Sequence, residues 1–277
     1  MLKVLVHQGF HKTGTTTFQR TLSKNQHTLK DRVNVLLPRD VQDAGFSARR
    51  YAVAPKDRTL INFGKKLRSA LKPYVGQTEK PLLISNEEFA GLIPGRKGVW
   101  SYTYTHVLAE ALLEEIQQLT DAQIHITLLY TTRSPADWIR STYWQNLRSN
   151  RILEDISEYS KLLHQGADLG AVVDRVRASV SSRANVVSVD VTDQSDRLVP
   201  LIKALSILDV RSDDLIAIKD QNVQPNGSAE YFLELNRSPM TDEEVAAAKR
   251  AHLDLIKAGV QQSGNQVGDW GEMPRDA

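Results

Sequence analysis

Residues 2–17 of the chain read LKVLVHQGFHKTGTTT, and this stretch decides the fold. Its first six residues are mostly apolar and suit a β-strand, whereas the closing threonines suit the start of a helix. Glycine in the connecting loop, at Gly14, lets backbone amides approach an anion, which the helix dipole also favours. Lys12 adds a positive charge, and hydroxyl donors come from Thr13, Thr15, Thr16 and Thr17. The stretch therefore predicts a phosphate-binding loop.

Further apolar runs follow at residues 33–37, 82–84, 124–130 and 186–189, and helical patterns lie between most of them. Short strands that alternate with helices predict the α/β class, with a central parallel sheet flanked by helices as in P-loop NTPases. We expect the strands at residues 82–84 and 124–130 to be the central ones, and the former to lie beside the first strand.

Composition narrows the class of protein. The chain has 277 residues, 41% of them apolar, a formal charge of +2 and no cysteine, so disulfides and thiolate sites are excluded. The charge is too small to indicate a nucleic-acid partner, and no apolar run is long enough for an integral membrane segment. We expect a cytoplasmic protein with one domain over residues 1–260 and a polar tail over residues 261–277.

Two segments between the predicted strands suggest lids or substrate loops. Residues 51–75 are basic and helical in character, and residues 86–105 are rich in glycine, proline and aromatic side chains. The first segment is equally compatible with a dimer surface, and the oligomeric state stays open. Residues 222–228 are a further candidate for an element that closes over a bound nucleotide.

The loop differs from that of a Mg-ATP kinase. Gly9 and Gly14 have the spacing of a Walker A loop, but Thr15 and Thr16 stand where that motif needs lysine and a hydroxyl residue. Lys12 lies inside the loop instead, and no acid in the usual position follows an apolar strand. A phosphotransferase of the small-molecule kinase type and a non-catalytic nucleotide-binding module remain the alternatives.

A second anion site is predicted after the strand at residues 124–130. Ser134 suits the N-cap of a helix, Pro135 its first position and Asp137 a capping-box acid. Arg133 then lies at the carboxyl end of a strand, where ligands of open α/β sheets collect, and Ser141 lies about two helical turns on. Both side chains suit one further phosphate.

The motif of residues 11–16, HKTGTT, followed by Arg133-x-Pro135 and Ser141, resembles the paired signatures of sulfotransferases that use 3′-phosphoadenosine 5′-phosphosulfate, in particular their bacterial branch. The resemblance implies this nucleotide as cofactor and adenosine 3′,5′-bisphosphate as its product. It implies that the Lys12 loop holds the 5′-phosphosulfate, that Arg133 and Ser141 hold the 3′-phosphate, and that no metal is required. The implied activity is transfer of a sulfuryl group to a hydroxyl or amine.

Such a transfer requires a general base near the acceptor. Glu87, Glu88 and His11 are the candidates, and the resemblance favours Glu87 because of the Ser-x-Glu pattern that precedes it. Lys12 is expected to stabilise charge on the leaving group. The aromatic and basic residues 96–104 suit a small-molecule or carbohydrate acceptor, since aromatic faces pack against sugar rings.

Overall fold

A computed structural model describes residues 1–75, 80–192, 196–218 and 227–257. Within these ranges the strands are β1 Leu2–His7, β2 Asn34–Leu36, β3 Leu82–Ser85, β4 Ile124–Thr132 and β5 Asn185–Asp190. The helices are α1 Thr15–Lys24, α2 Gln26–Leu29, α3 Gln42–Val53, α4 Asp57–Leu71, α5 Thr105–Gln117, α6 Pro135–Ser149, α7 Ile156–Leu163, α8 Leu169–Val180, α9 Val199–Ile207, α10 Ser228–Arg237 and α11 Asp242–Lys257.

The described strands form one parallel sheet in the order β2-β3-β1-β4-β5, so the predicted α/β class is confirmed. Strand β3 lies beside β1, as expected, with Val6 opposite Ile84. Strands β3 and β4 are interior strands, as expected, and β1 lies between them. This order gathers the carboxyl ends of β1, β3 and β4 at one edge of the sheet, where ligands of such sheets bind.

Each face of the sheet is covered by its own layer of helices, because alternate residues of a strand point to opposite faces. Val4 and Val6 of β1 pack into a large core with helices α3 to α6, α8 and α10. Leu5, between them, packs into a second core with α1, α2 and α9. Phe18 and Leu22 of α1, four residues apart and therefore on one face of the helix, are fully or almost fully buried there.

The ends of two helices follow the local sequence. Ser134 caps α6 by accepting a hydrogen bond from the Asp137 amide, and Pro135 begins the helix. The Asp137 carboxylate differs from the expected capping box, because it accepts from the Ser134 hydroxyl instead of the Ser134 amide. Thr241 and Glu244 form a complete capping box at the start of α11.

The predicted lid segment at residues 51–75 consists of the end of α3, the helix α4 and their connections. Phe63, Leu67 and Leu71 of α4 are fully buried in the larger core. Most of the candidate closing element at residues 222–228 and all of the tail at residues 261–277 lie outside the described residues. No helix in the described part of the chain is long and apolar enough to cross a membrane.

Candidate active site

A cavity of about 360 Å³ opens at the carboxyl ends of β1, β3 and β4. It brings together all the candidate site residues from the sequence except Thr13. Its walls are His11, Lys12, Gly14, Thr15, Thr16, Thr17, Arg49, Glu87, Glu88, Leu92, Ile93, Arg96, Arg133, Ser141, Gln145 and Arg197. Residues that are far apart in the sequence thus share one chamber.

The loop after β1 presents unpaired backbone donors to this cavity. Gly14 adopts a φ of 89° and Lys12 a φ of 69°, a region that side chains other than glycine rarely adopt. Helix α1 begins at Thr15, and among the described residues the amides of Gly14, Thr15 and Thr16 donate to no protein acceptor. A strained lysine backbone beside free helix-terminal amides is an arrangement suited to an anion.

Thr13 has a different place from the one expected. Its side chain is fully buried, its hydroxyl donates to the Phe10 carbonyl at 2.6 Å, and it lies 2.6 Å from the Thr131 hydroxyl. These contacts join Thr13 to Phe10 within the loop and to Thr131 of β4. The Thr13 hydroxyl is therefore not available to a ligand. Space is tight here, because a β-carbon on Gly9 would lie 2.6 Å from the Thr131 hydroxyl oxygen.

The electrostatics of the cavity favour an anion. Burial lowers the pKa of Lys12, and the nearby charges of Arg148 and Arg133 lower it further. Burial likewise lowers the pKa of Arg133, which Asp137 opposes. Like charges held close together at a half-buried position repel one another, and a bound anion would reduce this repulsion.

Arg133 and Ser141 lie as the sequence predicts, at the end of β4 and within α6. Within the described ranges, neither the Arg133 guanidinium nor the Ser141 hydroxyl makes a hydrogen bond to the protein, and both line the cavity. Arg197, just before α9, lines the same cavity. Its positive charge adds to the effect of burial in lowering the pKa of Arg133. No motif surrounds Arg197, so its position at the cavity was not predictable from the sequence.

Glu87 is held by a hydrogen-bonded series that starts in the core. Nε2 of Gln19 donates to Oε2 of Glu87 at 2.6 Å and lies 3.4 Å from the Ser85 hydroxyl. That hydroxyl in turn lies 2.9 Å from Nδ1 of the buried His7. Gln19 lies one turn into α1, and no motif in the sequence indicates its contact with Glu87. It orients the Glu87 carboxylate at the cavity wall.

Glu88 is engaged elsewhere. Its Oε1 lies 2.9 Å from Nη1 of Arg49, a residue of α3. Burial raises the pKa of Glu88, as does the neighbouring charge of Glu87, while Arg49 opposes both effects. Of the two candidate carboxylates, Glu88 is therefore already paired with a cation, whereas the recorded partner of Glu87 is a neutral amide.

The surroundings of His11 favour its neutral form. Burial lowers its pKa to about 3, and the charges of Arg96, Arg49 and Lys12 contribute. Its Nδ1 lies 2.9 Å from the Tyr102 hydroxyl, which also accepts a hydrogen bond from the His11 amide. A half-buried imidazole whose pKa is lowered in this way is a poor general base and a capable hydrogen-bond donor or acceptor.

The described residues contain no group of three His, Asp or Glu side chains that could hold a metal ion. The fold and the cavity together define an α/β protein in which a glycine- and threonine-containing loop joins the first strand to the first helix.

No protein-family model matches the chain, and no curated protein sequence matches it significantly. Among solved structures, the chain is similar to a sulfotransferase from Alicyclobacillus acidocaldarius, with 11% identity and a TM-score of 0.46, over 95% of this chain and 97% of that one. It is also similar to EHV4-TK complexed with TP4A, with 11% identity and a TM-score of 0.35, over 75% of this chain and 90% of that one.

Proposed function

We propose that this protein is a sulfotransferase that moves a sulfuryl group from 3′-phosphoadenosine 5′-phosphosulfate to a hydroxyl or amine of an acceptor. The observation that carries the proposal is the meeting, on one cavity, of Lys12 and its loop with Arg133, Ser141 and Glu87. Two anion sites and one carboxylate are what this reaction needs, and the two motifs that supply the anion sites are far apart in the sequence.

The donor set of the cavity fits such a nucleotide. The free amides of residues 14–16 and the Lys12 ammonium would hold the 5′-phosphosulfate, as the sequence resemblance implies. The Arg133 guanidinium and the Ser141 hydroxyl, neither committed to another described residue, would hold the 3′-phosphate. When bound, the nucleotide supplies the sulfuryl group.

Lys12 and the loop amides have a chemical as well as a binding role in this proposal. Transfer leaves extra negative charge on the nucleotide side of the site. Preorganised amides and a lysine stabilise such charge more strongly as it develops than before the reaction, which lowers the barrier. The left-handed backbone at Lys12 contributes by holding this residue within the turn.

Glu87 is the proposed general base. An acceptor hydroxyl must lose its proton as it becomes a nucleophile, and the Glu87 carboxylate lines the cavity while Gln19 fixes its orientation. Glu88 is less suited because of its pairing with Arg49. His11, neutral and bonded to Tyr102, serves as a hydrogen-bonding residue beside Lys12.

Calorimetric titration tests the proposal. The protein is expected to bind adenosine 3′,5′-bisphosphate without added metal, and Lys12→Ala and Arg133→Ala are each expected to weaken this binding at least about tenfold. Lys24→Ala, an exposed position at the end of α1, is the matched control and should bind normally.

Titration with Mg-ATP separates the kinase alternative. Tight binding of ATP together with no binding of the bisphosphate would overturn the proposal. Assay with a labelled phosphosulfate donor against classes of acceptor, carbohydrates included, separates a transferase from a non-catalytic nucleotide-binding module. In that assay the module would bind the bisphosphate and transfer nothing to any acceptor.

A further inference from the structure

Arg96 is a half-buried cation on the wall of the cavity whose hydrogen-bond partners are all neutral. Its Nε donates to Oδ1 of Asn146 at 2.6 Å, and its Nη2 donates to the Ser149 hydroxyl at 2.8 Å. Within the described ranges no carboxylate pairs with it. The charge of Arg96 is therefore oriented by the protein without being neutralised by it.

The two residues that accept hydrogen bonds from Arg96 are themselves held in place by further hydrogen bonds. Asn146 is completely buried, and its Nδ2 donates to the Pro94 carbonyl at 2.8 Å and to the Tyr159 hydroxyl at 2.7 Å. With both amide hydrogens committed, its oxygen is left to accept from Arg96. The Ser149 hydroxyl donates to the Gln145 carbonyl, so it too can only accept from the guanidinium.

The backbone around Arg96 is equally constrained. Lys97 and Gly98 have φ values of 51° and 75°, the left-handed pair of a tight hairpin turn. The turn is closed by hydrogen bonds from the Gly95 amide to the Val99 carbonyl and from the Val99 amide to the Arg96 carbonyl. One edge of the guanidinium is thus held by the protein, and Arg96 lines the cavity.

Arg96 and Glu87 both belong to residues 86–105, and both line the cavity. Burial raises the pKa of Tyr102, a residue of the same segment; the charge of Glu87 raises it further, and the charge of Arg96 lowers it. Arg49, another arginine of the cavity wall, is already paired with Glu88. An acceptor placed with its hydroxyl near Glu87 would therefore find an unneutralised arginine in the same cavity.

We infer that Arg96 binds an anionic group of the acceptor, so that the substrate class is a hydroxylated molecule that also carries a carboxylate, sulfate ester or phosphate ester. The inference rests on the proposed function. A planar guanidinium fixed along one edge presents its remaining donors to an anion with little loss of conformational entropy. The donor nucleotide is accounted for by a separate set: Lys12, the loop amides, Arg133 and Ser141.

Matched acceptor analogues test the inference by calorimetry on the full chain saturated with adenosine 3′,5′-bisphosphate. One pair is 4-nitrophenyl β-D-glucuronide and the corresponding glucoside, and the other is 4-hydroxyphenylacetate and its amide. A third comparison uses a glucoside 6-sulfate and 6-phosphate, which separates the possible anions. We expect an acidic member to bind at least about tenfold more tightly than its neutral partner.

Substitutions in the turn that contains Arg96 test whether this residue causes the preference for an acidic acceptor. Arg96→Gln should abolish the preference for the acid and leave bisphosphate affinity within about twofold of the original, since a twofold change is far below one lost charged hydrogen bond. Arg96→Lys should keep part of the preference, which guards against a loss of folding in the first variant. Lys97→Gln, exposed in the same turn, should keep all of it.

Several outcomes would overturn the inference. One is equal binding of every acid and its neutral partner, and another is a preference that survives in Arg96→Gln. A loss of bisphosphate affinity in Arg96→Gln as large as that in Lys12→Ala would assign Arg96 to the nucleotide instead. No bisphosphate binding by the original protein would overturn the proposed function itself, and this inference with it.

Discussion

The Tyr102 hydroxyl lies 2.9 Å from Nδ1 of His11 and 3.1 Å from the backbone nitrogen of the same residue. It accepts from the amide, and the described residues offer its proton no acceptor other than Nδ1. We therefore assign the imidazole proton to Nε2, as a donor at the cavity wall. One tyrosine thus links the loop at residues 86–105 to the loop after β1 and sets the tautomer of His11.

Removal of this hydroxyl is predicted to release His11. In Tyr102→Phe we expect mixed imidazole tautomers in ¹⁵N-detected NMR spectra and a loss of about 1 kcal/mol of stability, typical of one buried hydrogen bond. Tyr104→Phe is the matched control, because Tyr104 lies in the same loop and makes an aromatic contact with Tyr51. A single unchanged tautomer in Tyr102→Phe would contradict the assignment.

The two neighbouring carboxylates are predicted to have separable roles. Glu87→Gln should keep bisphosphate binding and lower kcat by roughly 10²–10⁴, the usual contribution of a general base. Glu88→Gln should retain most of the activity, since its carboxylate is paired with Arg49. Steady-state kinetics with a labelled donor compare the two variants, and full activity in Glu87→Gln would assign the base to another residue.

Gln19→Leu extends the same test to the residue that orients Glu87. We expect a fall in kcat with little change in bisphosphate affinity, because only the hydrogen bond to Oε2 of Glu87 and the weaker one to Ser85 are lost. A variant that loses nucleotide binding to the same extent as activity would indicate a disturbed helix α1 instead.

Substitution of Thr13 is predicted to lower stability, and substitution of Ser141 to weaken nucleotide binding. Thr13→Val removes a buried hydroxyl that donates to the Phe10 carbonyl, so the free energy of unfolding should fall by about 1–3 kcal/mol. Ser141→Ala removes a cavity-lining hydroxyl and should weaken bisphosphate binding without a loss of stability. Urea denaturation and calorimetry on both variants measure the contrast. Normal stability in Thr13→Val would show that its hydroxyl does not hold the loop.

The buried His7 predicts a specific pH dependence of stability. Burial lowers its pKa to about 3, so it stays neutral in the folded protein, whereas an unfolded histidine gains a proton near pH 6.5. Between these values the unfolded state binds more protons. The free energy of unfolding must therefore fall as the pH falls below about 6.5, by up to about 1.4 kcal/mol per pH unit for this residue.

Urea denaturation between pH 5 and pH 7 measures this slope. His7→Gln should reduce it by about 1.4 kcal/mol per pH unit at the acidic end of the range, while His11 continues to contribute. His27→Gln, at an exposed position, should leave it unchanged. An unaltered slope in His7→Gln would mean that His7 is protonated alike in both states.

Local order was predictable because its causes are local. The strands, the loop after β1 and the cap at Ser134 follow from hydrophobic period, glycine placement and capping within a few residues. The place of Arg133 and Ser141 beside one cavity also follows, since both are positioned by one strand and the helix after it. These features are the basis of both predicted anion sites.

Relationships between distant residues depended on the tertiary structure. The middle position of β1, the contact of Tyr102 with His11 and the orientation of Glu87 by Gln19 join segments that no periodicity connects. The sequence shows Arg96 only as one basic residue in a short segment between two glycines. Its hydrogen bond to Asn146, a residue of α6, depends on the tertiary structure.

The loop of residues 9–17 shows both contributions at once. Its residue types alone indicated a phosphate site, because glycine, lysine and a helix start are an anion's usual partners. They could not say which threonine faces the cavity. Packing against Thr131 of β4 turned the Thr13 hydroxyl inward, and the left-handed backbone of Gly14 left Thr15, Thr16 and Thr17 at the cavity.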